Sequence, residues 1–211
     1  MFRAPHAIVV VMLAAAVAGS ACRRDPEAPP ATAESPTTAP PDERVVGPLS
    51  PEDAKALATM NDRLKEYIDL HLRLERMLPP LPKEATPEQI DRNQRALGKL
   101  VQEARANAKV GDLFTPEARP VIVRLLATIF GGPEGAQLKA SILDENPVGV
   151  KLAVNGRYPD AVPISTIPPQ VLQTLPQLTE DLEYRFIGDR LIILDTHAHI
   201  IADYIEDALP K

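Results

Sequence analysis

Apolar positions recur at alternating three- and four-residue steps through Leu57, Met60, Leu64, Tyr67, His71, Leu74 and Leu78, with charged residues between them. That spacing predicts a long amphipathic helix carrying a heptad stripe. Ser50-Pro51-Glu52-Asp53 supplies its start: a hydroxyl N-cap, a proline at the first helical position and an acid at the third. Pro79-Pro80 ends it. A second start, Thr86-Pro87-Glu88-Gln89, has the form of a capping box. Its stripe runs through Ile90, Leu97, Leu100 or Val101, Ala104 and Ala108 and stops near Gly111. Two such helices on a short Pro-rich link predict an antiparallel helical hairpin. The small residues late in the second would let the backbones approach closely. A third helix is predicted from Thr115-Pro116-Glu117 to Gly131-Gly132, and a short fourth from 134 to 143, before Asn146-Pro147.

From residue 148 the period changes. Val150, Leu152 and Val154 alternate with Lys151, Ala153 and Asn155, which predicts a strand. Pro159, Pro163 and Pro168-Pro169 make the next stretch a loop, with one or two helical turns over 169–175. Two β-rich runs, 182–187 and 190–194, flank Gly188-Asp189 and predict a hairpin. A third strand, 200–205, comes after the link Asp195-Thr196-His197-Ala198-His199. The expected fold is α+β: a helical hairpin and two further helices, then a small C-terminal antiparallel β-meander. Residues 50–211 form one domain, helical over 50–145 and mainly β over 146–211.

The N-terminal 49 residues obey neither period. A basic start at Arg3, an apolar run over 7–18 and the small residues Gly19-Ser20-Ala21 have the layout of a secretory signal. The run is too short to span a bilayer core, which needs about 20 apolar residues. Residues 1–21 are therefore expected to be cleaved. Residues 22–49, rich in Pro, Ala and Thr and without an aromatic residue, are expected to be a disordered tether. At ~3.1 Å per residue it would reach roughly 80 Å at most.

Net charge is −6, and −7 once Arg3 is lost with the leader. An acidic surface argues against nucleic acid, whose phosphates call for clustered Lys and Arg, and against docking on anionic lipid. The single cysteine, Cys22, excludes an internal disulfide.

Candidate chemistry is sparse. On an extended strand Asp195, His197 and His199 would share a face, and two imidazoles with a carboxylate suit zinc, nickel or copper. Read instead as a hairpin link, the segment would scatter the three into solvent, and this is the preferred reading. His71 would have to come from the helical hairpin to add a ligand; its preferred role is a hydrogen-bonded histidine at the margin of the helix interface. Gly131-Gly132-Pro133-Glu134-Gly135 lacks the Lys and hydroxyl of a phosphate loop and reads as a helix stop. There is no Gly-x-Ser-x-Gly, and the chain has no Trp to stack a sugar.

Gly19-Ser20-Ala21-Cys22 resembles the lipobox of bacterial lipoproteins, with Gly19 in place of the usual Leu. The resemblance implies acylation of Cys22; ordinary cleavage after Ala21 is the alternative. The residue after Cys, Arg23 rather than Asp, implies the outer membrane, facing the periplasm. The second half of the chain is similar to a family of uncharacterised bacterial secreted proteins and lipoproteins. The similarity rests on Gly111-Asp-Leu-Phe-Thr-Pro116, Asn155-Gly-Arg-Tyr-Pro159 and, most strongly, Leu182-Glu-Tyr-Arg-Phe-Ile-Gly188 with Ile200-Ile-Ala-Asp-Tyr-Ile205. It implies an envelope location and supplies no activity. The leading expectation is a lipid-anchored interaction or scaffolding module with a protein partner in the envelope and without catalysis or cofactor. The alternative is a periplasmic metal-binding protein using Asp195, His197 and His199. A hydrolase whose site assembles only in the fold is third.

Overall fold

Helix α1 (Pro51–Glu75) opens as its cap predicts: Ser50 is extended and its hydroxyl accepts the Asp53 N–H at 3.1 Å. The structure is a computed structural model and describes residues 48–145, 149–179 and 181–211. The leader, Cys22 and all but the last two residues of the tether lie outside the described residues. Helix α2 (Pro87–Ala104) carries the full capping box, with Gln89 N–H on the Thr86 hydroxyl and Thr86 N–H on the Gln89 side-chain oxygen. Helices α3 (Ala118–Phe130) and α4 (Gly135–Glu145) come next. The Thr115 hydroxyl accepts the Ala118 N–H, so the predicted start of α3 is displaced by only a few residues. A single short helix, α5 (Pro169–Thr174), precedes the sheet. No helix among the described residues is long and apolar enough to cross a membrane.

The sheet has three antiparallel strands in the order β1 (Leu182–Ile187), β2 (Arg190–Asp195) and β3 (Ile200–Ile205). Gly188 turns the first hairpin at φ 62°, where a residue with a Cβ is strained, and Ile187 pairs with Arg190 across it. The α+β expectation holds, with the sheet at the C-terminus of the helical half.

Both faces of the sheet are covered, by different means. Leu182, Tyr184, Phe186, Leu191, Ile193 and Ile200 join the helical core with Met60, Leu97, Ile122 and Leu126. Each such fully buried side chain contributes about 1.5–3 kcal/mol of transfer free energy. Ile187, Ile192, Leu194 and Ile201 face the other way and pack on Tyr158 and Val162. Burial from both sides explains why β2 reads as an unbroken apolar run. The pairing of β2 with β3 slips by one residue at Ile193/Leu194. Ala202 therefore belongs to the helical core while Tyr204 packs on the opposite cluster, a change of phase that alternation alone forbids.

The predicted strand over 150–154 is not a strand. Val150 and Leu152 do pack on the second face, and Lys151 and Ala153 are exposed, so the alternation is real as burial. The segment runs between two left-handed residues, Gly149 at φ 88° and Asn155 at φ 59°; the chain meets β3 just after it, through the Asn155 N–H on the Ile201 carbonyl and a bridge of Arg157 to Ile200. Small residues on α2 matter at one place. A Cβ on Gly98 would lie 3.1 Å from the Ala198 carbonyl oxygen, so the glycine lets α2 close on the β2–β3 link rather than on α1.

One buried carboxylate holds a loop in place. Asp203 on β3 accepts the N–H groups of Leu113 and Phe114 at 2.8 and 2.9 Å on one oxygen and that of Tyr204 at 2.8 Å on the other. Gly111 N–H reaches both oxygens. Replacing it by alanine strands three loop amides. Asp203→Ala is expected to cost about 3 kcal/mol, read as a lower urea midpoint at unchanged m-value.

Candidate metal centre

The register of α1 places Tyr67, His71 and Glu75 at i, i+4 and i+8, one above the other along the helix. The three run from depth to rim: Tyr67 and His71 are buried and Glu75 is half-exposed. Facing them is the end of β2 and the link between β2 and β3. Asp195, with no exposed surface, is the pivot. Its Oδ2 receives the Tyr67 hydroxyl at 2.6 Å and the His71 Nδ1 at 2.7 Å, and its Oδ1 receives the Ala198 N–H at 2.7 Å. An ionised carboxylate only accepts, so both side chains donate and the His71 proton sits on Nδ1.

That bond leaves the other ring nitrogen free. His71 is fully buried, and its Nε2 has no hydrogen-bond partner in the protein. A buried polar atom left unpaired costs about 1–3 kcal/mol. Beside it stands the His197 ring, 5.8 Å away between centroids. His197 Nδ1 lies 3.2 Å from Glu75 Oε1 and 3.5 Å from Asp181 Oδ1. One donor atom each from His71, Glu75 and His197 falls within 4.8 Å of the others. Nδ1 being committed to Asp195, Nε2 is the His71 nitrogen left for a ligand.

The link is built to hold this arrangement. Residues 196–199 form turns rather than an extended strand, and His199 is left-handed at φ 53°. The Thr196 N–H and hydroxyl both donate to the Asp181 carbonyl, at 3.0 and 3.2 Å. The Gln94 amide reaches the Thr196 carbonyl from α2. The backbone is the hairpin link preferred above, so Asp195, His197 and His199 do not share a face; the expectation that all three scatter into solvent is corrected. Asp195 points into the core, His197 to the Glu75 rim, and His199 stacks its edge on Tyr158 beside Asp160, 3.8 Å from its Nε2. Of the three, only His197 is placed to ligate. The expectation of a histidine at the interface margin is corrected too: His71 stands at the centre. Glu75 and Asp181 carry no sequence signal of their own beyond the i, i+4 spacing of His71 and Glu75 on one stripe.

Charge acts on these groups in definite directions. Burial alone would depress the His71 imidazole, but the Asp195 bond and charge, with the charges of Asp181 and Glu75, outweigh it and raise its pKa. Burial and Asp195 push the Tyr67 hydroxyl well up, so it remains a donor. Burial, aided by Arg157, lowers His199. Glu75 is the last residue of α1, where the helix dipole disfavours an anion and favours a cation.

The hydrolase expectation calls for a pocket around Asp195, Arg185 or His71. Arg185 lines a groove of ≈ 370 Å³ with Leu172, Pro176, Leu178 and Glu183, but no Ser, Cys or His lines it. Arg185 itself is paired with Glu183.

No protein-family model matches this chain, and neither does any curated protein or solved structure.

The raised His71 has a pH signature in the metal-free protein. With a folded pKa above the unfolded value of ~6.5, its stabilisation is complete below that value and is lost as pH rises through the folded pKa. In the presence of a chelator the urea midpoint is expected to fall over that window. In Asp195→Asn the His71 pKa, tracked by NMR, should drop and the decline should shrink. An unchanged titration would show that Asp195 does not set the charge of His71.

Proposed function

We propose that this protein binds a transition metal ion of the zinc class through His71, Glu75 and His197. The observation that carries the reading is the fully buried His71, whose Nδ1 is bonded to Asp195 and whose Nε2 has no protein partner. A ligating histidine almost always gives its second ring N–H to a carboxylate or carbonyl, which fixes the tautomer and strengthens the ligand. Asp195 stands in that position, and Tyr67 and the Ala198 N–H fix Asp195 in turn. The donor chemistry of two imidazoles and a carboxylate suits zinc, copper or nickel and not calcium or magnesium. A cation there would satisfy Nε2, neutralise the charge of Glu75 and sit at the favourable end of α1.

The candidate site joins the two halves of the domain. Glu75 and His197 are 122 residues apart in sequence, one on the first helix and one in the β2–β3 link. An ion bound across them stabilises the folded state by mass action, by about 2.7 kcal/mol when free metal is 100-fold above its dissociation constant.

The reading extends to the leader. We place the domain outside the cytoplasm, anchored by acylated Cys22 and spaced from the membrane by residues 22–49, as a capture module for metal in the envelope. The contact-module expectation remains compatible with this, but it names no surface, whereas the metal reading names atoms. Mass spectrometry of the mature N-terminus tests the anchor: an unmodified Cys22 would remove it.

Isothermal titration of chelator-stripped protein with zinc is expected to give one site. His71→Ala and His197→Ala should each weaken it by at least about 100-fold, since a lost ligand costs more than a lost outer partner. At saturating zinc the melting temperature of the parent should rise by roughly 5–10 °C, and a chelator should reverse it. A parent that takes up neither zinc, nickel nor copper would overturn the reading.

A further inference from the structure

We infer that Asp181 is a fourth ligand, so that the centre is a closed, tetrahedral two-histidine, two-carboxylate site selective for zinc. The inference rests on the metal-binding reading above and adds the ligand that determines geometry and metal.

Three observations converge on it. The first is spacing. With zinc bonds of about 2.0–2.1 Å at the tetrahedral angle, neighbouring donor atoms lie roughly 3.3–3.4 Å apart. Glu75 Oε1 and Asp181 Oδ1 stand 3.2 and 3.5 Å from the same His197 nitrogen. Two of the six edges of a tetrahedron are thus already near their length, and they come from different elements; Asp181 stands outside the set of donors lying within 4.8 Å of one another, so its side chain must turn toward the ion to close the remaining edges. Octahedral neighbours at similar bond lengths would sit closer, at about 3.0 Å.

The second is anchorage. Asp181 immediately precedes β1, and its main-chain carbonyl is held by both the N–H and the hydroxyl of Thr196, the residue before His197. The backbone that carries the Asp181 side chain and the backbone that carries His197 are bonded to each other. Little freedom is left to lose when both side chains ligate, which is what a preorganised site requires.

The third is charge. His71 is fully buried, so an ion on its Nε2 is partly withdrawn from water. A dication held by two neutral imidazoles and one carboxylate would keep a net positive charge there, and an unbalanced charge away from water is costly. Asp195 offsets part of that charge from behind the His71 ring, and Asp181, whose side chain is only 19 % exposed, supplies a second carboxylate that can touch the ion directly. With four protein donors no position is left for a reactive water. The centre then holds metal and does not hydrolyse.

The test compares the full mature chain with Asp181→Asn and Asp181→Ala, titrated with zinc and with cobalt(II) as a spectroscopic substitute. The Thr196 bonds go to the main chain of Asp181, so these variants keep the anchor; matched circular dichroism and melting curves without metal verify that. In the parent, cobalt is expected to give the intense visible absorption of a tetrahedral site. In the variants zinc affinity should fall about 10- to 100-fold, and the cobalt bands should weaken as solvent enters the coordination sphere. If the variants bind zinc as tightly as the parent with the same cobalt spectrum, Asp181 is only an ion-pair partner of His197 and the inference is wrong. The three-ligand reading then survives, provided His71→Ala and His197→Ala still abolish binding. A weak, octahedral parent spectrum also overturns the closed site. A parent that binds no metal overturns both.

Discussion

The Asp195 carboxylate is the constraint on which the site and much of the architecture depend. Removing an isolated carboxylate from water is far too costly to be sustained, so it must be surrounded by donors. It finds one in each direction that the fold needs to fix. The Tyr67 and His71 side chains come from α1, and the Ala198 N–H comes from the link it opens. One charge therefore docks the first helix on the last residue of β2 and shapes the turn that carries His197. A neutral residue there would serve the packing but would leave the orientation of His71 undetermined.

A second buried carboxylate shows what is particular about the first. Asp203 lies on the neighbouring strand and is also buried, but its acceptors are taken up by the main-chain N–H groups of Gly111, Leu113, Phe114 and Tyr204. Its donors have no further chemistry to offer, and its role ends at holding a loop. Asp195 is met by an imidazole, and an imidazole has a second nitrogen. The orientation that one bond imposes is thereby transmitted to an atom on the far side of the ring. The buried charge that organises structure at Asp203 organises a binding atom at His71.

Much of this fold is legible in the sequence because its signals are local. The Thr86 capping box, the Ser50-Pro51 start and the Gly188-Asp189 turn each act within four residues, and each is found where its chemistry places it. The extended stretch at 150–154 misleads because alternation reports two environments, not a hydrogen-bonded partner; left-handed residues bound it at both ends. The site is legible only in part. His71, His197 and Asp195 are the right residue types, but the pairing of His71 with Asp195 spans 124 positions. The left-handed backbone at His199 then turns its ring toward Tyr158 and away from His197. Histidine is among the side chains that visit that region more readily than most, which is why the Asp-x-His-x-His segment reads as a turn before it reads as a strand face.

In the proposed metal-binding reading, the position of the site would decide how metal and folding are coupled. Small zinc domains have too little apolar surface to fold alone, and their binding energy is folding energy. Here the helical core runs from Met60 through Leu126 to Ile205 and reaches the rim only through Leu74 and Ala198, the neighbours of Glu75 and His197. The domain has reason to be folded before any ion arrives: the Asp195 bond holds the His71 ring, and the Thr196 bonds hold the main chain next to His197. On the proposed reading, binding would need the movement of the Glu75 and Asp181 side chains, not the ordering of a chain. A centre arranged in that way gains affinity from preorganisation. It would also release an ion without unfolding, as the proposed role of a metal-capturing module requires.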